Sequence, residues 1–176
     1  MNMQAGRRDF LKLASGLTAL AIASPLYWYA EQRWSEWSPS PLTADAKTIW
    51  CKIATVILSG VLPVAASVSE SALAQWWLRF QQTVNVLPIT TQRELGQLVL
   101  SLEFAPTRRT VWGVSAAWSE ATADEIRDFL EGCRYSSVPD IQSAYHAIHD
   151  LTLAAWYSDE AHWADIDYAP PPYLFS

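Results

Sequence analysis

Leu73-Ala74-Gln75-Trp76-Trp77-Leu78-Arg79-Phe80-Gln81-Gln82-Thr83-Val84 is the stretch on which the fold turns. Its large apolar residues Leu73, Trp76, Trp77, Phe80 and Val84 fall at i, i+3, i+4, i+7 and i+11, the spacing that lines one face of an α-helix. No strand places such a set on a single side. The pattern predicts a helix from about Ser67 to Val86, closed by Pro88, which lacks the N–H that would continue it. One buried face this rich in aromatics requires other helices to cover it.

Those helices are readable on both sides. Upstream, Ile49, Trp50, Ile53, Val56 and Ile57 repeat at three and four behind Thr43, a natural N-cap, and Gly60 and Pro63 mark the stop near Ser59. Downstream, Thr91-x-x-Glu94 has the spacing of a capping box and precedes the stripe Leu95, Leu98, Val99, Leu102. Between Pro106 and Ser119 the pattern loosens into a polar turn, Thr107-Arg108-Arg109-Thr110, with a short helix or loop behind it. A second capping box, Thr122-x-x-Glu125, opens a helix carrying Ile126, Phe129, Leu130 and Cys133. After the break Ser136–Pro139, the last long helix carries Ile141, Ala144, Tyr145, Ile148, Thr152 and Ala155 and runs to about Tyr157. No segment alternates with period two. The expected fold is all-α: a compact domain of about five main helices over residues 43–176, ending in a stiff, Pro-rich tail from Ser158.

Outside that domain lie two N-terminal segments. Residues 1–23 read as a twin-arginine export signal: Arg7, Arg8, Phe10, Leu11 and Lys12, an apolar run Leu13–Ala23, and the small-x-small pattern Ala21-Ile22-Ala23 of a cleavage region. A run of eleven residues is too short to span a hydrocarbon core of about 30 Å, so the segment reads as an address. An ordinary secretory signal and an uncleaved tether are the competing readings. Residues 24–42 form an extended aromatic arm, with Trp28, Trp34 and Trp37 among its large side chains. The arm and the tail around Tyr168, Pro171 and Pro172 have no helix face of their own, which suits a large protein–protein contact.

Composition narrows the function. The chain is 51% apolar and 17% charged, with ten tryptophans and a net charge of −6. It is globular in character, and its acidity argues against nucleic acid or anionic membrane as a partner. No glycine-rich phosphate loop, haem or zinc pattern, iron–sulfur cysteine array or Gly-x-Ser-x-Gly elbow occurs. His146 and His149, three apart beside Asp150, are the one candidate metal pair, and their helix supplies no further inward ligands. Asp128 and Glu131 are the nearest thing to a general acid, though solvated helix faces explain them. Arg108 and Arg109 fit either a grip on a partner carboxylate or an exposed turn. Cys51 and Cys133 are free to pair with each other, to pair with another chain, or to remain thiols. Cys133, at a helix end beside Arg134 and Tyr135, is expected to be the exposed one and the candidate for an intersubunit bridge.

The C-terminal third resembles one family. Ala123-Asp124-Glu125, Phe129-Leu130, Gln142-Ser143-Ala144-Tyr145-His146-Ala147-Ile148-His149, Ala155-Trp156-Tyr157, Trp163-Ala164-Asp165-Ile166 and the segment Tyr168 to Pro172 carry the resemblance, together with the twin-arginine start. The family is the small, non-catalytic subunit of periplasmic flavin-dependent sugar and polyol dehydrogenases. It includes gluconate 2-dehydrogenase subunit 3, the gamma subunit of FAD-dependent glucose dehydrogenase and the small subunit of sorbitol dehydrogenase. The resemblance implies a non-enzymatic subunit that binds no cofactor or metal itself. It would escort a folded, FAD-carrying catalytic subunit of the GMC type through the twin-arginine translocase into the periplasm. A multihaem cytochrome c subunit at the membrane would complete the complex. It also implies that Tyr145, His149, Trp156, Tyr157, Trp163, Tyr168, Pro171 and Pro172 face the partner. Pro170 departs from the family, which commonly has glycine there, and its fixed φ excludes a left-handed turn. The alternatives are a stand-alone periplasmic metal-binding protein or enzyme using His146 and His149, and an interaction module tethered by an uncleaved N-terminus.

Overall fold

The computed structural model describes residues 40–169, and these form a helical body with no strand among them. Its elements are α1 (Ala44–Ile57), α2 (Ala66–Asn85), α3 (Ile89–Glu103), α4 (Ala105–Thr110), α5 (Ala123–Arg134), α6 (Pro139–Tyr157) and a 3-10 helix (Glu160–Ile166). Helix α1 is the centre: α2, α3, α5 and α6 all pack on it, while α2 and α5 also pack on α6.

Each element starts where its local chemistry allows. Thr43 is extended, and its Oγ1 accepts the Ala46 N–H at 3.0 Å, satisfying one of the helix's orphaned donors. Ala46, Ile49, Trp50, Ile53 and Ala54 then bury a single stripe of α1. The Trp50 indole N–H donates to Pro41 O at 3.1 Å, and Leu42 packs on the core. Pro41 and Leu42, which the sequence reading assigns to the arm, thus contact α1 and the core.

The aromatic stripe of α2 is the main filling. Phe80 lies 4.7 Å from Trp50, 5.0 Å from Trp76 and 5.5 Å from Trp77, ring centroid to centroid. Such tilted and offset contacts are favourable beyond the area they bury. Trp76 also donates to Thr152 O at 3.0 Å, locking α2 to α6 with its only polar atom satisfied. A second cluster closes the other side. Trp112 and Trp118 both present edges to Phe129, and their indole N–H groups reach Ser101 Oγ (3.2 Å) and Leu102 O (2.9 Å).

Two expectations need revision. Thr91 caps nothing: Pro88, extended at ψ 143°, ends the preceding turn, so α3 starts at Ile89 and Thr91 already lies inside it. The 107–110 segment is helical rather than a polar turn, with Pro106 in the first turn of α4. Gly113, at φ 71°, then reverses the chain so that Val114 N donates back to Arg108 O. Beyond α6, Asp159 caps the 3-10 helix by accepting the Ala161 N–H, and Pro170 to Ser176 of the Pro-rich end lie outside the described residues.

Candidate partner-binding face

The C-terminal end of α6 and the 3-10 helix bring most of the described candidate residues together. Asp159 is the pivot. One carboxylate oxygen takes the Ala161 N–H at 3.0 Å, and the other binds the Arg79 guanidinium of α2. The Ala161 N–H, with Arg79 and His162 nearby, holds the Asp159 carboxyl below the usual carboxylate range. Trp163 donates its indole N–H to Tyr157 O at 2.8 Å, and the Tyr168 ring stands edge-on to Trp163 at 5.4 Å. Tyr157 and Trp163 are half-buried, and Tyr168 is exposed. The face thus offers rings that are held by the body yet reach solvent, each with a polar handle, the composition favoured at protein interfaces.

Two to three turns earlier on α6, Tyr145 stacks on His149 at 5.6 Å and meets His146 edge-on at 5.5 Å. His149 Nδ1 lies 3.1 Å from Asp150 Oδ1. Both histidines are therefore engaged with their own helix. Among the described residues no group of three or more His, Cys, Asp or Glu side chains is placed to hold a metal ion.

Two candidates sit elsewhere than expected. Trp156 is 1% exposed, a core residue rather than a contact residue. It sits on the stripe with Thr152 and Ala155, and its outer ring face is covered by His162, stacked at 3.8 Å and 17°. Cys133 is 3% exposed, because α6 packs over the end of α5, and burial pushes its thiol up to about 12. Cys51 is the more accessible thiol, and both cysteines are free. Arg7, Arg8, Phe10, Leu11, Lys12, Ala21, Ala23, Trp28, Trp34, Trp37, Pro171 and Pro172 lie outside the described residues.

Several structuring residues escaped the sequence reading. The Arg79–Asp159 pair spans 80 positions, so no local pattern announces it, although Asp159 ahead of Glu-Ala-His has the look of a cap. Arg108 is 8% exposed and its Nε has no hydrogen-bond partner among the described residues, so it is no exposed grip; Arg109 is the exposed member. Glu125 departs from the capping-box pattern. Thr122 Oγ1 accepts the Glu125 N–H at 3.2 Å, but the Glu125 carboxylate turns outward to Ala116 N (3.0 Å), Ser115 N (2.6 Å) and Ser115 Oγ (2.7 Å). The Ala116 N–H and Ser115 hydroxyl hold its carboxyl below the ordinary range, with a smaller contribution from Arg108.

No protein-family model, curated protein or solved structure matches the chain. Among the described residues no helix is long and apolar enough to cross a membrane.

Proposed function

We propose that this chain is the small, non-catalytic subunit of a periplasmic flavin-dependent sugar, alcohol or polyol dehydrogenase. Its helical body binds and stabilises the folded catalytic subunit, and its N-terminal Arg7-Arg8-x-Phe10-Leu11-Lys12 addresses the pair to the twin-arginine translocase. The FAD and the chemistry belong to the partner, and the complex meets the membrane through a cytochrome c subunit.

The observation that carries this reading is the C-terminal face. Tyr157, Trp163 and Tyr168 reach solvent while a half-buried hydrogen bond, an ion pair and a histidine–indole stack fix the backbone beneath them. Aromatic rings on a pre-ordered support lose little conformational entropy when a partner closes over them. Replacing Arg7 and Arg8 together by lysine, then assaying dehydrogenase activity in separated cell fractions, tests the escort role. Loss of periplasmic activity with retention in the cytoplasm is expected. Undiminished periplasmic activity in the double variant overturns it.

A further inference from the structure

A partner that engages only the C-terminal face has too little to hold. A 3-10 helix of seven residues is about 14 Å long, whereas a stable interface covers roughly 800 Å² on each partner. The surface adjoining it is the outer side of α2, joined to the 3-10 helix through Arg79 and Asp159. From Ser71 to Asn85 the exposed residues of α2 are Ser71, Ala74, Gln75, Leu78, Gln82 and Asn85, none of them charged. The only cation in that span, Arg79, is bound by Asp159. Leu78, 60% exposed, lies near the middle of this span; Val86, 83% exposed, follows its last residue, and the exposed Glu70 bounds its start. Spacings of three, four and seven put the exposed residues of the span on one side of a helix about 30 Å long.

In a chain of net charge −6 a charge-free strip over four turns is unusual for a solvated face. Charged residues are depleted at the centres of protein interfaces because burying them is costly. We propose that the outer face of α2, from Ser71 to Asn85, is the second half of the docking surface, and that the catalytic subunit of the proposed complex covers it together with Trp163 and Tyr168. The occupant is a folded protein with a matching uncharged face. Area and continuity with the aromatic face favour it over a second copy: α2 alone, about 30 Å by 10 Å, is narrow for a self-sufficient dimer. This inference rests on the function proposed above.

The test uses the full tagged chain in its own cells. A photo-crosslinking residue is placed at Gln75 or Leu78, and at Asp128 on the exposed side of α5 as a control. Products are identified by mass and by bound flavin. Crosslinks from positions 75 and 78, but not 128, to a flavin-bearing dehydrogenase are expected. Leu78→Asp, whose fold is checked by circular dichroism, is expected to lower recovery of that flavoprotein at least tenfold. Crosslinks from position 78 to a second copy of this chain, or undiminished recovery with Leu78→Asp, overturn the α2 assignment. If Leu78→Asp has no effect while Tyr168→Ala abolishes recovery, only the α2 assignment falls. If the unmodified chain recovers no flavoprotein, the functional reading falls with it.

Discussion

Cys133 shows how far one side chain departs from what its neighbours suggest. Arg134 and Tyr135 beside it are exposed, yet the thiol itself faces inward among the core residues of α5. Its thiol is pushed up to about 12 by burial, and since the thiolate is the reactive form, such a thiol is inert. A thiol reagent on the native protein is therefore expected to label Cys51 first and Cys133 only on unfolding, read by peptide mass. Equal native labelling contradicts the packing, and a bridge from Cys133 to another chain requires the end of α5 to repack. Glu103 is the opposite kind of site. One of its carboxylate oxygens is buried without a hydrogen bond. Burial and then Asp45 raise its carboxyl above the usual range, partly offset by Thr43. A carboxyl with a raised folded pKa costs stability at neutral pH. That cost is absent below the unfolded value of about 4.3 and grows as pH rises towards the folded value. Glu103→Gln is thus expected to raise Tm at pH 7 by about 2 °C and to leave it unchanged at pH 3. An equal shift at both pH values excludes the ionised carboxylate as the cause.

At the scale of elements, three threonines with similar local sequence have different roles. Thr43 and Thr122 are extended and accept helix N–H groups, whereas Thr91 lies inside α3 because Pro88 has already ended the preceding turn. Thr43→Ala and Thr122→Ala should each cost about 1 kcal/mol in denaturant unfolding. Thr91→Ala should be neutral or slightly stabilising, since alanine is the better interior helix residue. A Thr91→Ala loss as large as that of Thr122→Ala counts against this helix start. Helix existence was legible throughout, because the stripes of Trp76, Trp77, Phe80 and Val84 or of Leu95, Leu98, Val99 and Leu102 depend only on spacing. The start of α3 was not, because a capping box and an upstream proline compete and sequence does not rank them. Glu125 was half legible. Its N–H is capped as the pattern requires, but the loop at Ser115 and Ala116 offers three donors, and the carboxylate goes there. Its depressed folded pKa contributes stability above the unfolded value of about 4.3, lost as pH falls through the folded one. Glu125→Gln should flatten that acid limb. An unchanged pH profile argues that the loop does not hold the carboxylate.

On the scale of the whole molecule, the candidate face was legible only in pieces. Tyr168 stood out as an aromatic without a helix face, and Tyr157 and Trp163 came only with the family resemblance; the Arg79–Asp159 pair and the Trp156–His162 stack that organise them join distant segments or depend on a 3-10 turn. The core, by contrast, is continuous: every buried residue among those described lies between Pro41 and Trp156. A chain trimmed to residues 40–169 contains that cluster and is expected to fold alone, with a single cooperative transition. Trimming only four residues further, to begin at Ala44, removes more than length suggests. The Thr43 cap is lost, worth about 1 kcal/mol. Leu42 no longer covers the core. The buried Trp50 indole N–H loses Pro41 O, and an orphaned buried donor costs about 1–3 kcal/mol. Together these amount to roughly 2–4 kcal/mol, or about 10 °C in Tm. Thermal unfolding of the two trimmed chains decides the matter. A large gap between the starts at Ser40 and Ala44 means that residues 40–43 anchor α1 through the Thr43 cap, Leu42 and the Pro41 carbonyl. Near-identical transitions would mean that α1 is held by its stripe alone. An unfolded 40–169 chain would show that the N-terminal segment is part of the fold.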